Sequence, residues 1–450
     1  MPKHELLIIG SGPSGSAVAK KCAAAGMDVA VADKLFGGTC ALYGCTPKKA
    51  MENVTSVYWK LRDLQHMGAP ERHGFAQWDG LLRNHQQFTT LVTPNTKEMF
   101  AAKGITCYEG AAKFTGERTV QVGEDQEVTA DNIIIATGAK PREMTVSGAE
   151  LTITSDDFFS LQKVPRSIVF VGAGYISFEL GHIAAACGSQ VTIISKDEKP
   201  LPQFDPKMVT KLCESANRKG IRLITGYEAT GVYGAAGKLR VIAEREKDGD
   251  VIETEGAVVL NATGREVVVD LDLEHAHVDY DAHKGIEVDA YYQTSNPHVY
   301  AIGDVTGREQ FTPVAEREGA VVSHNLQHPD DRQTMDYIGL PKVMFTDPKF
   351  GMVGKLEQEL QDDGVEFDVH EGDLSDDLLE KSAGNAFAHY RVFTEPEKGK
   401  ILGAHLLGVH ANEAVNLFAL AMQTGLTARE LERLNLGYPT AMHTNTKLFG

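Results

Sequence analysis

The chain has 450 residues and carries 62 acidic against 44 basic side chains, a formal charge of −18. That balance argues against a nucleic-acid partner, since no basic stripe overrides it, and six cysteines are too few for a disulfide scaffold. The length suits about three domains, no apolar run approaches the roughly 20 residues that cross a bilayer, and no signal peptide precedes a first strand that begins by residue 5, so a cytoplasmic protein with no membrane partner is expected.

Residues 6–9, Leu-Leu-Ile-Ile, form an apolar strand that runs straight into Gly10-Ser11-Gly12-Pro13-Ser14-Gly15 and an alanine-rich helix over residues 16–25. In such a turn Gly10 makes the tight bend, Gly12 lets a pyrophosphate approach, and Gly15 lets helix and strand pack closely. A second strand, residues 29–32, leads to Asp33, placed where a carboxylate accepts ribose hydroxyls. The glycines alone would be weak evidence; strand, helix and acid together make a dinucleotide site.

Cys40 and Cys45 follow, in Gly37-Gly38-Thr39-Cys40-Ala41-Leu42-Tyr43-Gly44-Cys45-Thr46-Pro47-Lys48-Lys49. Residues 46–64 read as a helix with Pro47 in its first turn, which puts Cys45 at the helix's positive end, where a thiolate is stabilised. Lys48 and Lys49 return to the same face and add positive charge. An isolated pair at this spacing would be two structural cysteines. Beside a dinucleotide fingerprint it reads as a redox dithiol. Cys22, Cys107, Cys187 and Cys213 lie among apolar or helical neighbours and read as plain core or surface residues.

A second fingerprint occupies residues 167–177, where Gly172-Ala173-Gly174-Tyr175-Ile176-Ser177 follows a strand and opens a helix, Ser177 being small enough for the third glycine's place. Two such units hold two dinucleotides. A cysteine pair beside the first then implies electrons passing from a nicotinamide through a flavin to a disulfide. The strand at residues 191–194 is followed by Ser195 and Lys196, not by the carboxylate that bonds a ribose 2′-hydroxyl, which favours NADPH over NADH, although Asp197 and Glu198 blunt the positive field. Residues 339–450 mix strand patterns at 342–346 and 399–409 with a helix at 412–424, and the acidic stretch 364–384 reads as solvated loop.

Taken together, these motifs resemble the FAD-dependent pyridine nucleotide disulfide oxidoreductases, the family of glutathione reductase, dihydrolipoamide dehydrogenase and mercuric reductase, over essentially the whole chain. Residues 133–138, Ile-Ile-Ile-Ala-Thr-Gly, are similar to the strand that closes the family's first FAD segment. Asn261-Ala262-Thr263-Gly264-Arg265 is similar to its counterpart at the end of the NAD(P) domain, and residues 294–304, ending in Gly303-Asp304, to the second FAD segment. The resemblance implies an α/β fold with two Rossmann-like domains and a C-terminal α+β dimerisation domain. Residues 1–150 and 268–338 would be the FAD-binding and central regions, 151–267 the NAD(P) domain, and 339–450 the dimerisation domain of a homodimer whose active site is shared between subunits.

The same resemblance implies that Asp304 bonds the flavin's ribityl chain, that Thr312 opens a helix aimed at the flavin pyrimidine, and that Tyr175 covers the flavin until nicotinamide arrives. Further cofactor contacts are implied at Gly10, Gly12, Ser14, Gly15, Asp33, Gly38, Thr39, Lys49, Ala112, Thr137, Gly138, Gly172, Gly174, Ile176, Ser195, Lys196, Gly264, Arg265 and Gly303. Cys45 would face the flavin as a thiolate and Cys40 would attack the substrate. A lysine of the dithiol helix would pair with Glu179. Lys48 is favoured over Lys49 because Pro-Lys-Lys resembles the glutathione and trypanothione reductases.

One departure bears on chemistry. The family's disulfide reductases carry His-Pro-Thr-x-x-Glu near the C-terminus, and this chain has Tyr438-Pro439-Thr440-Ala441-Met442-His443. A phenol with a pKa near 10 can protonate a leaving thiolate but is a poor base at neutral pH. His443 either supplies the basicity by touching the phenol or is only a helix-start residue. The positions that hold glutathione in its reductases are Thr96, Ala320 and Lys20 here. Mercuric reductases share a tyrosine at the position of Tyr438 but end in a vicinal cysteine pair, and no cysteine follows Cys213. The expected function is an FAD-containing, NAD(P)H-dependent reductase of a small disulfide, with no resident metal. Reduction of a metal ion or quinone-like acceptor is the alternative enzyme, and a flavoprotein redox sensor is the alternative of another class.

Overall fold

The computed structural model describes residues 1–71 and 74–449 and divides into two compact units. The first comprises residues 1–48, 83–142 and 264–336, the second residues 49–82, 143–263 and 337–450.

The first unit is built on a seven-stranded sheet. Its strands run in the order Thr106–Glu109, Val29–Asp33, Lys3–Ile9, Gln126–Ile135, Thr119–Val122, Ala112–Gly116, and Val299–Ala301 also pairs with Gln126–Ile135. Lys3–Ile9 is parallel to both neighbours, and Leu6, Leu7, Ile8 and Ile9 are all buried. A parallel strand covered on both faces needs this continuous apolar run in place of alternation. Helices Pro13–Ala24 and Thr312–Gln327 cross tightly where Gly319 meets the Ser14 carbonyl; a Cβ on Gly319 would lie 2.7 Å from that oxygen.

In the second unit a parallel sheet runs in the order Ile221–Thr225, Gln190–Ser195, Ser167–Val171, Val258–Asn261. The antiparallel strands Glu228–Ala235, Lys238–Glu244 and Val251–Gly256 bury Val232, Leu239, Val241 and Ala243 against Val169, Val171 and Ile194 of that sheet. The C-terminal part is a five-stranded antiparallel sheet, Lys342–Met344, Lys349–Gly354, Ile401–Gly408, His389–Thr394, Asp368–Asp373, on which helix Ala411–Thr424 packs through Val415 and Phe418. Asp205 ties these two parts together: it caps helix Pro206–Arg218 through the Lys207 and Met208 amides at 2.9 and 3.2 Å, while its other oxygen takes the buried Arg391 guanidinium and His405.

The acidic stretch 364–384, expected to be loop, holds the strand Asp368–Asp373 and the helix Leu378–Ser382. That strand lies at the sheet's edge, half in water, so its polar sequence carries no apolar alternation to betray it. The helix is anchored by Glu380, a buried carboxylate accepting from Asn385 and the Val409 amide. Among the described residues no helix is long and apolar enough to cross a membrane.

Candidate active site

The dithiol is shaped by its glycines. Gly37 and Gly38 both have positive φ, and a Cβ on Gly38 would fall 2.5 Å from the Gly12 Cα, so only glycine lets this turn meet the first fingerprint. The short helix Gly38–Leu42 then carries Cys40, and the helix Cys45–Asp63 begins with Cys45. Both sulfurs are free thiols, Cys45 exposed and Cys40 half-buried. The Thr312 hydroxyl donates to Cys40 Sγ at 3.2 Å and lies 3.8 Å from Cys45 Sγ, so one hydroxyl at the start of a distant helix serves both. The Cys45 thiol beside it and burial push the Cys40 thiol well up, and the Thr312 bond opposes them. Cys187 and Cys213 are pushed up to about 12, chiefly by burial, and burial also raises Cys22 and Cys107. These four are inert packing residues.

The same unit gathers most of the expected FAD contacts. Gly10, at φ +106°, brings its loop against the Ala136 carbonyl, where a Cβ would come within 2.3 Å. Asp33 is engaged locally: one oxygen takes the Ser11 amide and hydroxyl at 2.6 and 2.7 Å, and the other takes the Leu35 amide at 3.1 Å. The carboxylate thus pins the glycine loop and keeps lone pairs for ribose hydroxyls. Thr137 donates to the Val268 carbonyl at 2.7 Å, and Arg265 to the Ala139 carbonyl. Asp304 sits in the turn Gly303–Thr306, and burial raises its carboxyl while Arg265 opposes this. Among the described residues no side chain donates to it. A half-buried carboxyl left without a side-chain donor beside a glycine loop fits a polyhydroxyl chain, so the residues present suit FAD. Ser14 and Ala112 are buried in the same unit, and Thr39 lies within the Cys40 helix.

The second nucleotide turn repeats the first. Gly172, at φ +104°, meets the Ala262 carbonyl as Gly10 meets that of Ala136, and the Ser177 hydroxyl donates back to the Gly172 carbonyl at 2.5 Å, which settles a side chain in the third glycine's place. Gly174 caps the helix Tyr175–Ala186, and Tyr175 is exposed at its start. Ser195 is buried at the end of its strand, where the Tyr227 amide donates to its carbonyl at 2.9 Å; Lys196 beyond it is exposed, as are Asp197 and Glu198.

Residues 4–319 match the family model described as pyridine nucleotide-disulphide oxidoreductase, and residues 340–447 match that family's dimerisation domain. The chain belongs to this family. Among its relatives are a glutathione reductase of Nostoc sp., 30% identical over 453 residues and 95% of each chain, and a mercuric reductase of Staphylococcus aureus, 30% identical over 95% of this chain and 78% of that one. A dihydrolipoyl dehydrogenase of Haloarcula marismortui is 28% identical over 97% of this chain and 94% of its own. The protein is therefore a flavin-dependent NAD(P)H oxidoreductase that uses FAD, acts on disulfide or related redox substrates and forms a homodimer through its C-terminal domain.

Within this oxidoreductase the two candidate lysines have different surroundings. Lys49 donates to Glu52 at 2.6 Å and lies 4.2 Å over the Phe345 ring. Lys48 belongs to the other compact unit. Glu179 is buried and accepts the Phe345 amide at 2.7 Å. Tyr438 is 73% exposed, and its ring meets that of His443 edge to face, centroids 5.2 Å apart. No hydrogen bond joins the two rings among the described residues. His443 sits in the short helix Ala441–Asn445, its amide donating to the Thr440 cap at 3.3 Å, so it is a helix-start residue that also touches the phenol.

Three contributors escaped the sequence reading. The Thr312 hydroxyl lies at the sulfurs, at the start of the helix that the resemblance aims at the flavin. Glu318, buried in the same helix, accepts the Gly303 amide at 2.7 Å and so holds the turn that presents Asp304; nothing in the sequence marks it. Glu52 carried one signal, its position three residues after Lys49 on a helix.

Proposed function

We propose that this oxidoreductase reduces a small disulfide with electrons from NADPH, by way of FAD and the Cys40 and Cys45 dithiol. The observation that carries the reading is the single Thr312 hydroxyl within reach of both sulfurs, with Cys45 at the start of the helix Cys45–Asp63. Residues 1–150 and 268–338 bind FAD, 151–267 bind the coenzyme and 339–450 pair the subunits, in a cytoplasmic enzyme. Ser195 in place of a carboxylate, followed by the exposed Lys196, supports NADPH over NADH.

Bound FAD supplies the relay of two electrons from NADPH to the Cys40–Cys45 disulfide. Cleavage of that S–S bond leaves a thiolate at Cys45, which the positive helix end and Lys48 stabilise, and a thiol at Cys40. Cys45 is the more exposed sulfur in the chain itself, and its place at the helix start supports the flavin-side role. Cys40 releases its proton to solvent and attacks one sulfur of the substrate disulfide, breaking that S–S bond and forming a mixed disulfide. The first thiolate leaves and takes a proton from the Tyr438 hydroxyl, presented across the dimer, with His443 against the phenol ring. Cys45 then displaces the second thiolate and re-forms the internal disulfide. Lys48 and Glu179 are the residues that the family resemblance assigns to the nicotinamide side.

Turnover of oxidised low-molecular-weight thiols, lipoamide and Hg(II) with each coenzyme tests this. NADPH-dependent disulfide reduction, lost in Cys45→Ser, is expected. Reduction of Hg(II) without any disulfide turnover would instead select the metal-ion reading, which the likeness to mercuric reductases and the affinity of thiolates for soft ions favour.

A further inference from the structure

The helix Thr312–Gln327 buries Val314, Ala315, Glu318, Gly319 and Val322, the spacing of a stripe that faces a core. Glu318, 1% exposed, is the acid in that stripe. A buried polar group is costly unless it is hydrogen-bonded, and this carboxyl accepts the Gly303 amide at 2.7 Å. Gly303 is held from its other side as well, where the Thr306 hydroxyl donates to its carbonyl at 2.9 Å. With φ at +73°, Gly303 lies so close to the first nucleotide loop that a Cβ would come within 2.9 Å of Ser14 Oγ. The next residue of the helix, Gly319, meets the Ser14 carbonyl. The turn that presents Asp304, the first nucleotide loop and this helix therefore meet at Glu318, all within one compact unit.

The same helix begins with Thr312, whose hydroxyl donates to Cys40 Sγ at 3.2 Å. Thr312 and Glu318 are separated by about 9 Å along the helix axis at about 1.5 Å per residue, and a packed helix passes a displacement at one contact on to the other. A slip of about 1 Å would take the hydroxyl out of hydrogen-bond reach of the sulfur. We infer that Glu318 is a positioning residue that fixes this helix against the Gly303 turn and thereby sets the Thr312 bond to the dithiol. One buried carboxyl then keeps the turn of Asp304 and the cysteine pair in a common register. The inference rests on the part given above to the Thr312 hydroxyl at the sulfurs.

A double-mutant cycle on the FAD-loaded enzyme tests this, read as the pH dependence of iodoacetamide modification of Cys40 and Cys45 in the reduced protein. Glu318→Leu should lower the alkylation rate by about tenfold at a given pH below the dithiol's first ionisation, the effect of raising that ionisation by about one pH unit. Glu318→Gln, which keeps an oxygen for the Gly303 amide, should track the parent. In a Thr312→Val background Glu318→Leu should change nothing further, because the bond it displaces is already gone. The sign discriminates as well: a carboxylate acting on the sulfurs through its charge would, when removed, bring their ionisation down. A downward shift, no shift, an equal upward shift in both backgrounds, or a glutamine variant that moves as far as the leucine one would overturn the inference. If Glu318→Leu does not fold or retain FAD, Glu318→Asp, one methylene shorter, is taken through the same cycle, with an upward shift confined to the Thr312 background expected and the same contrary results decisive. Failure of the underlying Thr312 role reads differently: Thr312→Val alone would then titrate with the parent.

Discussion

Thr312→Val removes one hydroxyl and nothing else of size, and that hydroxyl donates to Cys40 Sγ at 3.2 Å and stands 3.8 Å from Cys45 Sγ. A hydrogen bond to an ionised partner contributes about 1.5–3 kcal/mol, and one pH unit corresponds to about 1.4 kcal/mol. The bond favours the thiolate over the thiol, so its loss should raise the dithiol's first ionisation by about one to two pH units. Below that pKa the thiolate fraction, and with it the alkylation rate of the reduced enzyme, should fall by about 10- to 100-fold at a given pH. The assay is iodoacetamide modification across a pH series, resolved for Cys40 and Cys45 by peptide mass spectrometry at measured FAD content. Thr312→Ser keeps the oxygen and should track the parent. If the valine and serine variants titrate together with the parent, the hydroxyl does not stabilise the thiolate, and the geometry that supports the dithiol chemistry has been misread.

Cys45→Ser should abolish the long-wavelength charge-transfer absorption that two-electron reduction of the parent produces; a reduced parent that bleaches without that band would show that Cys45 does not face the flavin. Lys196→Glu should raise the Michaelis constant for NADPH, not NADH, by about 5- to 150-fold, the effect of about 1–3 kcal/mol at a phosphate, and equal effects on both coenzymes would make Lys196 a solvated surface residue. Tyr438→Phe should leave flavin reduction intact while slowing disulfide turnover by about 100- to 10,000-fold; turnover at the parent rate would remove the phenol from the mechanism. Burial pushes the Asp205 carboxyl up, but its hydrogen bond with His405 and the charges of His405 and Arg391 outweigh burial and bring it down to about 2. Its folded pKa lies below the unfolded value near 3.9, so this stabilisation is complete above about pH 5 and is lost as pH falls toward 2, an effect of the order of 2 kcal/mol. Thermal melts of Asp205→Asn should accordingly lose part of the parent's decline on acidification, and an unchanged acid limb would assign that decline to other carboxylates.

What the sequence discloses depends on how local the constraint is. Gly10, Gly38 and Gly172 are legible because each must adopt positive φ within a turn only a few residues long, and the strands that feed those turns are unbroken apolar runs. The dithiol is legible for the same reason, since Cys45 and its helix start lie side by side in the chain. The edge strand Asp368–Asp373 is not, because a half-wet edge needs no apolar period. The groups that tune the site come from far away: Thr312 reaches Cys40 across 272 residues, and Lys349 reaches Glu52 across 297. Such contacts leave no pattern in a single sequence, because a threonine at a helix start and a lysine in a strand are unremarkable where they stand. Of the candidate pair Lys48 and Lys49, the motif alone offers two equivalent cations. Lys49 is distinguished only when folding brings Lys349 beside Glu52 and Phe345 beside Lys49, contacts made by residues that no motif contains.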